Sequence, residues 1–106
     1  MSGIHAFYRG TTPTHKFTLC NVSLSTLENV RICYTQDDDD ILIKTLSDCM
    51  KENDNMLSIK LTQEETNIFR VGECKLQLRV KTLGGQVLSS KQYVILCRDS
   101  LDDEVM

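Results

Sequence analysis

Cys74-Lys75-Leu76-Gln77-Leu78-Arg79-Val80-Lys81-Thr82, followed by Leu83-Gly84-Gly85-Gln86 and a second strand-like run ending at Arg98, decides the fold. Apolar and polar residues alternate up to a Gly-Gly turn, which predicts a half-buried β-hairpin. The register of the returning strand has two solutions. A two-residue loop sets Tyr93, Ile95 and Cys97 beside Cys74, Leu76 and Leu78, whereas a three-residue loop sets Val94 and Leu96 there. The shorter loop also turns Lys91 inward, so the expectation is the longer loop or a bulge near Ser89 and Ser90.

The same period of two recurs upstream. His15-Lys16-Phe17-Thr18-Leu19-Cys20 places Phe17 and Leu19 on one face, and Val30-Arg31-Ile32-Cys33-Tyr34-Thr35-Gln36 alternates in the same way. Asp37 to Asp40 should end that strand, because adjacent like charges repel and Asp favours turns. Ile41 to Leu46 is then the return strand of a second hairpin with an acidic tip. Asn21 to Asn29, rich in Ser, Thr and Asn, reads as a connector with one helical turn whose leucines plug one end of the core. Glu52 to Asn55 gives a further turn, and Leu57, Ile59 and Leu61 share a face of the next strand. Thr62-Gln63-Glu64-Glu65 has the spacing of a capping box, so a short helix should run to about Phe69, with Ile68 and Phe69 folding under the sheet. The fold class is all-β, a two-sheet antiparallel sandwich of six to eight strands with one short helical crossover at residues 62–69. Residues 1–98 form a single domain and residues 99–106 an acidic tail.

With 106 residues, 41% hydrophobic content and no Trp, the chain fits one core filled mainly by Leu, Ile and Val. No apolar stretch approaches a membrane span, and the first residues lack a basic region followed by an apolar run, so the expectation is no membrane association and synthesis in the cytoplasm. The five cysteines are widely spaced without a C-x-x-C pair, which argues for reduced thiols in strands rather than a disulfide framework or a zinc knuckle. Net charge is −3, yet eight of the fifteen acids lie in Asp37 to Asp40 and in Asp99, Asp102, Asp103 and Glu104. Charge is therefore segregated, with a basic excess elsewhere.

Catalytic signals are absent. The two histidines, His5 and His15, have no sequence-defined nucleophile beside them, and His15, on the face of Phe17 and Leu19, reads as a partly buried structural residue. The four consecutive aspartates lack the alternating ligands, glycine bend and closing Glu of a calcium loop. Gly84-Gly85 has no Lys-Ser/Thr after it and is a turn. The expectation is a non-enzyme with no cofactor and no metal. Lys75, Arg79 and Lys81 project from one face of the long strand with Gln77 between them, a basic strip suited to an acidic partner or equally to solvent. No aromatic residue interleaves with it, so nucleic-acid binding ranks last. The candidate partner-contact residues are Phe7, Tyr8 and Arg9 at an N-terminal edge, Asp37, Asp38, Asp39 and Asp40 at the hairpin tip, and Leu101 and Val105 in the tail, where apolar anchors sit beside charge.

Over Phe7 to Leu19, Leu61 to Thr66 and Gln77 to Gly85, the chain resembles small proteins encoded in phages and prophages of gut Firmicutes. Its strand order and capped crossover are similar to the immunoglobulin-like N-terminal domain of phage baseplate upper proteins. The resemblance implies an immunoglobulin-like sandwich with a tail or baseplate role, virion association, other phage structural proteins as partners, and self-association as an option; it carries no catalytic or binding motif. The alternative is a small phage-encoded inhibitor of a host protein, imitating nucleic acid with its acidic tip and tail.

Overall fold

A computed structural model gives the structure of the protein over residues 5–19, 22–90 and 92–99. Nine strand segments, among the described residues, build two sheets. These are β1 (His5–Tyr8), β2 (Thr14–Thr18), β3 (Leu27–Gln36), β4 (Asp39–Thr45), β5 (Met50–Asn53), β6 (Met56–Lys60), β7 (Gly72–Thr82), β8 (Val87–Ser89) and β9 (Tyr93–Arg98). The wide sheet runs β1-β9-β7-β3-β4, and β8 continues the β9 edge along β7. The narrow sheet runs β2-β6-β5. All pairings are antiparallel except β1 with β9, which is parallel. A central β7 flanked by β9 and β3, with β4 beyond and β2-β6-β5 opposite, is the immunoglobulin-like arrangement of a sandwich. Because β8 and β9 line one edge of β7 in succession, they act as one interrupted strand, and the sandwich has eight strand positions.

Alternation does what its period requires. Val30, Ile32 and Tyr34 of β3, Leu57 and Ile59 of β6 with Leu61 just beyond it, and Cys74, Leu76, Leu78 and Val80 of β7 are all buried and meet between the sheets. At the centre four rings touch in a cycle. Phe69 packs edge-on against Phe7 at 5.3 Å and Tyr34 at 5.7 Å, while His15 lies 5.9 Å from Phe7 and 5.7 Å from Tyr34. His15 Nδ1 and the Tyr34 hydroxyl share a 2.7 Å hydrogen bond, so the buried phenol and the half-buried imidazole satisfy one another across the sheets. Aromatic contacts thus join the layers, and Cys33, Cys49, Cys74 and Cys97 are free thiols.

The capped crossover forms as the sequence predicts. Helix α1 (Gln63–Asn67) starts at Thr62, whose hydroxyl accepts from the Glu65 amide at 3.1 Å while the Glu65 carboxylate accepts from the Thr62 amide at 2.9 Å. Only Phe69 then enters the core. Ile68 faces solvent at 52% exposure, contrary to the expectation that both residues tuck under, because neighbouring residues at the helix end point in different directions.

The second hairpin is tighter than expected. Asp37 and Asp38 alone make its turn, both with positive φ (50° and 66°), the left-handed geometry of a two-residue I′ turn that Asp tolerates. Asp39 and Asp40 instead belong to β4, with Asp39 paired to Gln36 and Asp40 to Thr35 on an exposed stretch where their carboxylates stay in water. Likewise Glu52 and Asn53 lie in β5, and the reversal falls at Asp54 and Asn55. The connector makes one short turn at Leu24–Thr26 with Leu24 and Leu27 buried, and Leu27 already opens β3.

Both routes to the return register are used at once. The loop Leu83-Gly84-Gly85 has three residues, closed by the Thr82 amide donating to Gln86 O at 2.8 Å, with Gly85 at φ 88°. Downstream, the Ser90 amide donates to Leu78 O and the Leu78 amide donates to Ser90 Oγ, and the next pair is Leu76 with Tyr93. Three residues on one side thus match two on β7, which is a bulge. The outcome sets Ile95 beside Cys74 with both buried, and Val94 outside, so the inner set is Tyr93, Ile95 and Cys97 rather than Val94 and Leu96.

Candidate functional site

The strands that finish or begin together define one end of the sandwich. Tyr8, last in β1, pairs with Arg98, last in β9; Cys97 pairs with Gly72, first in β7; and Gln36, last in β3, reaches the crossover. Gln36 is 3% exposed, an unusual position for an amide. Its Nε2 donates to Arg70 O at 2.7 Å and to Glu73 O at 3.5 Å, and its Oε1 accepts from the Arg70 amide at 2.8 Å. This clamp fixes Arg70 beside the acidic tip, where its guanidinium lies 3.5 Å from Asp37 and 3.8 Å from Asp39 and donates to Gln36 O at 3.2 Å.

On the other flank, residues 9–11 are glued to α1. The Arg9 guanidinium donates to Asn67 O at 2.9 Å, Thr66 Oγ1 donates to Thr11 O at 2.8 Å, and Gln63 Nε2 donates to Gly10 O at 3.2 Å. Gly10 has φ 76°, and a Cβ there would stand 3.2 Å from Asn67 Oδ1, so the approach needs glycine. Arg9 also lies 3.6 Å from the Asp99 carboxylate. In the same segments Tyr8, Ile68 and Val71 are exposed at 52%, 52% and 60%. Lys44, which pairs with the inward-facing Ile32 at the sheet edge, turns in to form an ion pair with Glu65. Burial pushes the Glu65 carboxyl up, but Lys44 and the Thr62 amide outweigh it and hold the group below the ordinary glutamate range.

The structure therefore brings together Tyr8, Arg9, Asp37 and Asp39 at one end, and places Asp38 at the same tip. Asp40 faces the outer side of the wide sheet, where it accepts from the Cys33 thiol at 3.2 Å. Phe7 is a correction. It pairs with Cys97, so it points inward, is 5% exposed and belongs to the aromatic cycle, not to a contact surface. Leu101 and Val105 lie outside the described residues. Gln36, Ile68, Arg70 and Val71 were not picked out for this surface from the sequence; the only hint was a glutamine closing an otherwise apolar alternation before the aspartates.

The predicted basic strip is also real, and wider than the sequence indicated. Lys75, Arg79 and Lys81 of β7 face outward, and β3 adds Arg31 directly opposite Arg79. Lys81 has Glu28 at 3.5 Å. Among the described residues neither Arg31, Arg79 nor Lys75 has a carboxylate in ion-pair range.

Among the described residues, the thiols are held in their protonated form. Burial raises Cys33, Cys49 and Cys97 above the ordinary thiol value and pushes Cys74 up to about 12, so each stays protonated near neutrality. Burial likewise raises the Tyr34 phenol. Among the described residues no group of three or more His, Cys, Asp or Glu side chains converges to hold a metal ion, and no helix is long and apolar enough to cross a membrane.

The sequence matches no protein-family model and no curated protein. Among solved structures the chain is similar to CopC from Methylosinus trichosporium OB3b, with a TM-score of 0.58 at 10% identity, covering 95% of this chain and 89% of that one. At that identity the likeness concerns the fold alone. Weaker similarity is found to the V domain of amphioxus IgVJ-C2, with a TM-score of 0.34 at 16% identity over 88% of this chain and 98% of that one. The longer amphioxus IgVJ-C2 molecule matches at the same score and identity over 87% of this chain and 54% of its own.

Proposed function

We propose that this chain is a non-catalytic protein-contact module that docks through its crossover end. In the phage tail or baseplate setting implied by the sequence resemblance, the partner is a neighbouring structural subunit, and the protein moves from the bacterial cytoplasm into the particle. One observation carries the reading: at the end where β1 and β9 finish and the crossover enters β7, Tyr8, Ile68 and Val71 are exposed apolar side chains, and the Arg9–Asp99 and Arg70–Asp37/Asp39 ion pairs involve the same segments. Exposed apolar side chains beside charged ones, with Tyr and Arg among them, are what a protein interface uses. The four described thiols, all raised by burial and protonated near neutrality, support a non-enzymatic role.

The test is mass spectrometry of particles purified from cells making either the native chain or a Tyr8→Ser, Val71→Ser double variant. The expected result is that the native chain is found in particles and the variant is lost from them at unchanged circular dichroism. Equal incorporation of both, or absence of the native chain from particles, overturns the reading.

The inhibitor alternative draws on the exposed carboxylates of the tip, and Arg70 offsets two of them. Reversing Asp38 and Asp40, the tip aspartates outside the Arg70 pairs, to Lys separates the two readings: binding to a host nucleic-acid enzyme weakens if the tip imitates nucleic acid, whereas particle incorporation persists if the apolar side chains are the contact.

A further inference from the structure

The outer face of the wide sheet holds a second feature, independent of the crossover end. Arg31 and Arg79 are directly opposed on β3 and β7, an arrangement that places their Cβ atoms about 5 Å apart and sets like charges against each other at a cost. Both line a hollow of about 310 Å³ with Cys33, Thr35, Asp40 and Gln77, and both also line a smaller one of about 170 Å³ with Asn29, Lys81 and Val87. The guanidinium pair is thus the wall shared by two depressions. Of the two nearby anions, Asp40 lines the larger hollow and Glu28 belongs to Lys81. Asp40 takes the Cys33 thiol proton donor at 3.2 Å, and Glu28 stands 3.5 Å from Lys81. The Gln77 amide donates to Ser90 O at 2.9 Å, so Gln77 is held as part of the floor. The hollow carries two cations, Arg31 and Arg79, against the single carboxylate of Asp40, and Lys75 faces outward further along β7.

We infer that the Arg31–Arg79 pair is a binding site for a phosphate dianion, free or carried as a monoester on a small molecule. Two guanidinium forks on neighbouring strands converge on one oxyanion and offer paired N–H donors that match its oxygens. The dianion neutralises the two opposed positive charges of Arg31 and Arg79. The larger hollow, at the lower end of the range for small-molecule sites, accommodates a phosphate and a short organic group and no more. A carboxylate brings half the charge, and an extended polyanion finds no aromatic platform beside the pair.

The experiment uses the full chain at constant ionic strength. Inorganic phosphate, glycerol phosphate and acetate are titrated while backbone amide and arginine Nε signals are followed by NMR. Saturable shifts at Arg31, Cys33, Gln77 and Arg79 with both phosphates, and none with acetate, are expected. A monoester that binds at least as tightly as free phosphate identifies a small-molecule ligand; the reverse order identifies the free ion. Arg31→Gln or Arg79→Gln should weaken phosphate about tenfold or more, and Arg79→Lys, which keeps charge but loses the fork, should fall between. Each Gln variant should melt at or above the native temperature without phosphate, since it relieves a like-charge pair. Shifts no larger than those given by matched sodium chloride, undiminished affinity in both Gln variants, or binding of an oligonucleotide without any response to phosphate overturns the inference. None of these outcomes depends on whether the crossover end docks in a particle.

Discussion

The crossover end and the outer face of the wide sheet handle charge in opposite ways. At the end, charges that are far apart in sequence meet: Arg70 with Asp37 and Asp39, Arg9 with Asp99, Lys44 with Glu65. On the face, Arg31 and Arg79 meet each other and no described carboxylate meets them. A chain with net charge −3 thus sets two cations directly against one another. Segregation along the sequence is a poor guide to segregation in space, because strand register and loop closure decide which charges become neighbours.

That contrast can be broken most severely from underneath. Phe69→Ala removes the ring that holds the crossover against Phe7 and Tyr34, and should cost about 3–5 kcal/mol in urea unfolding. Hydrogen exchange should rise first in α1 and at residues 9–11, while β3 and β7 at Arg31 and Arg79 remain protected; uniform loss across both regions would contradict the division.

A smaller change acts on the charges alone. Gln36→Leu removes the clamp and strands the Arg70 amide and carbonyl, with an expected cost of about 1–3 kcal/mol. Once the clamp is gone, the hydrogen-exchange protection of the Arg70 amide and the NMR shift of its guanidinium should both move away from their native values. Unchanged values would mean that Arg70 stays in place without Gln36.

The mildest intervention is acid. Glu65 titrates lower in the folded chain than when unfolded, so its contribution is complete above the unfolded value and disappears as pH falls through the folded one. The melting temperature should drop as pH is taken from about 5 to 3, by the equivalent of about 1 kcal/mol for this partly exposed pair. Glu65→Gln should flatten part of that slope. Asp48, held low mainly by the Thr45 amide, should supply a remainder in the same window. The phosphate response of the cationic face should follow the ionisation of phosphate itself instead.

What could be read from the sequence was whatever is local. The alternation in β3, β6 and β7 identified the inner faces, Thr62 to Glu65 announced the helix start, and the aspartates announced a reversal. The pieces that make the surfaces are not local. Arg31 meets Arg79 only through register between strands 48 positions apart, and Gln36 finds Arg70 only once the crossover has folded over it. Phe7 was misplaced because a four-residue edge strand shows too few alternations to reveal its inward face, and parallel pairing with β9 leaves no turn signature. Ile68 and Phe69 are adjacent apolar residues at a helix end, where one step along the chain redirects the side chain by about 100°.

The three-residue loop and the bulge after Ser90 also protect the chain against error. Each shifts the returning segment by one place, so a change of length at the Gly-Gly loop can be absorbed at the bulge before it reaches Ile95 and Cys97. The loop is thereby free to vary in length or accept an inserted tag, while the packing between the sheets is insulated from whatever is done there.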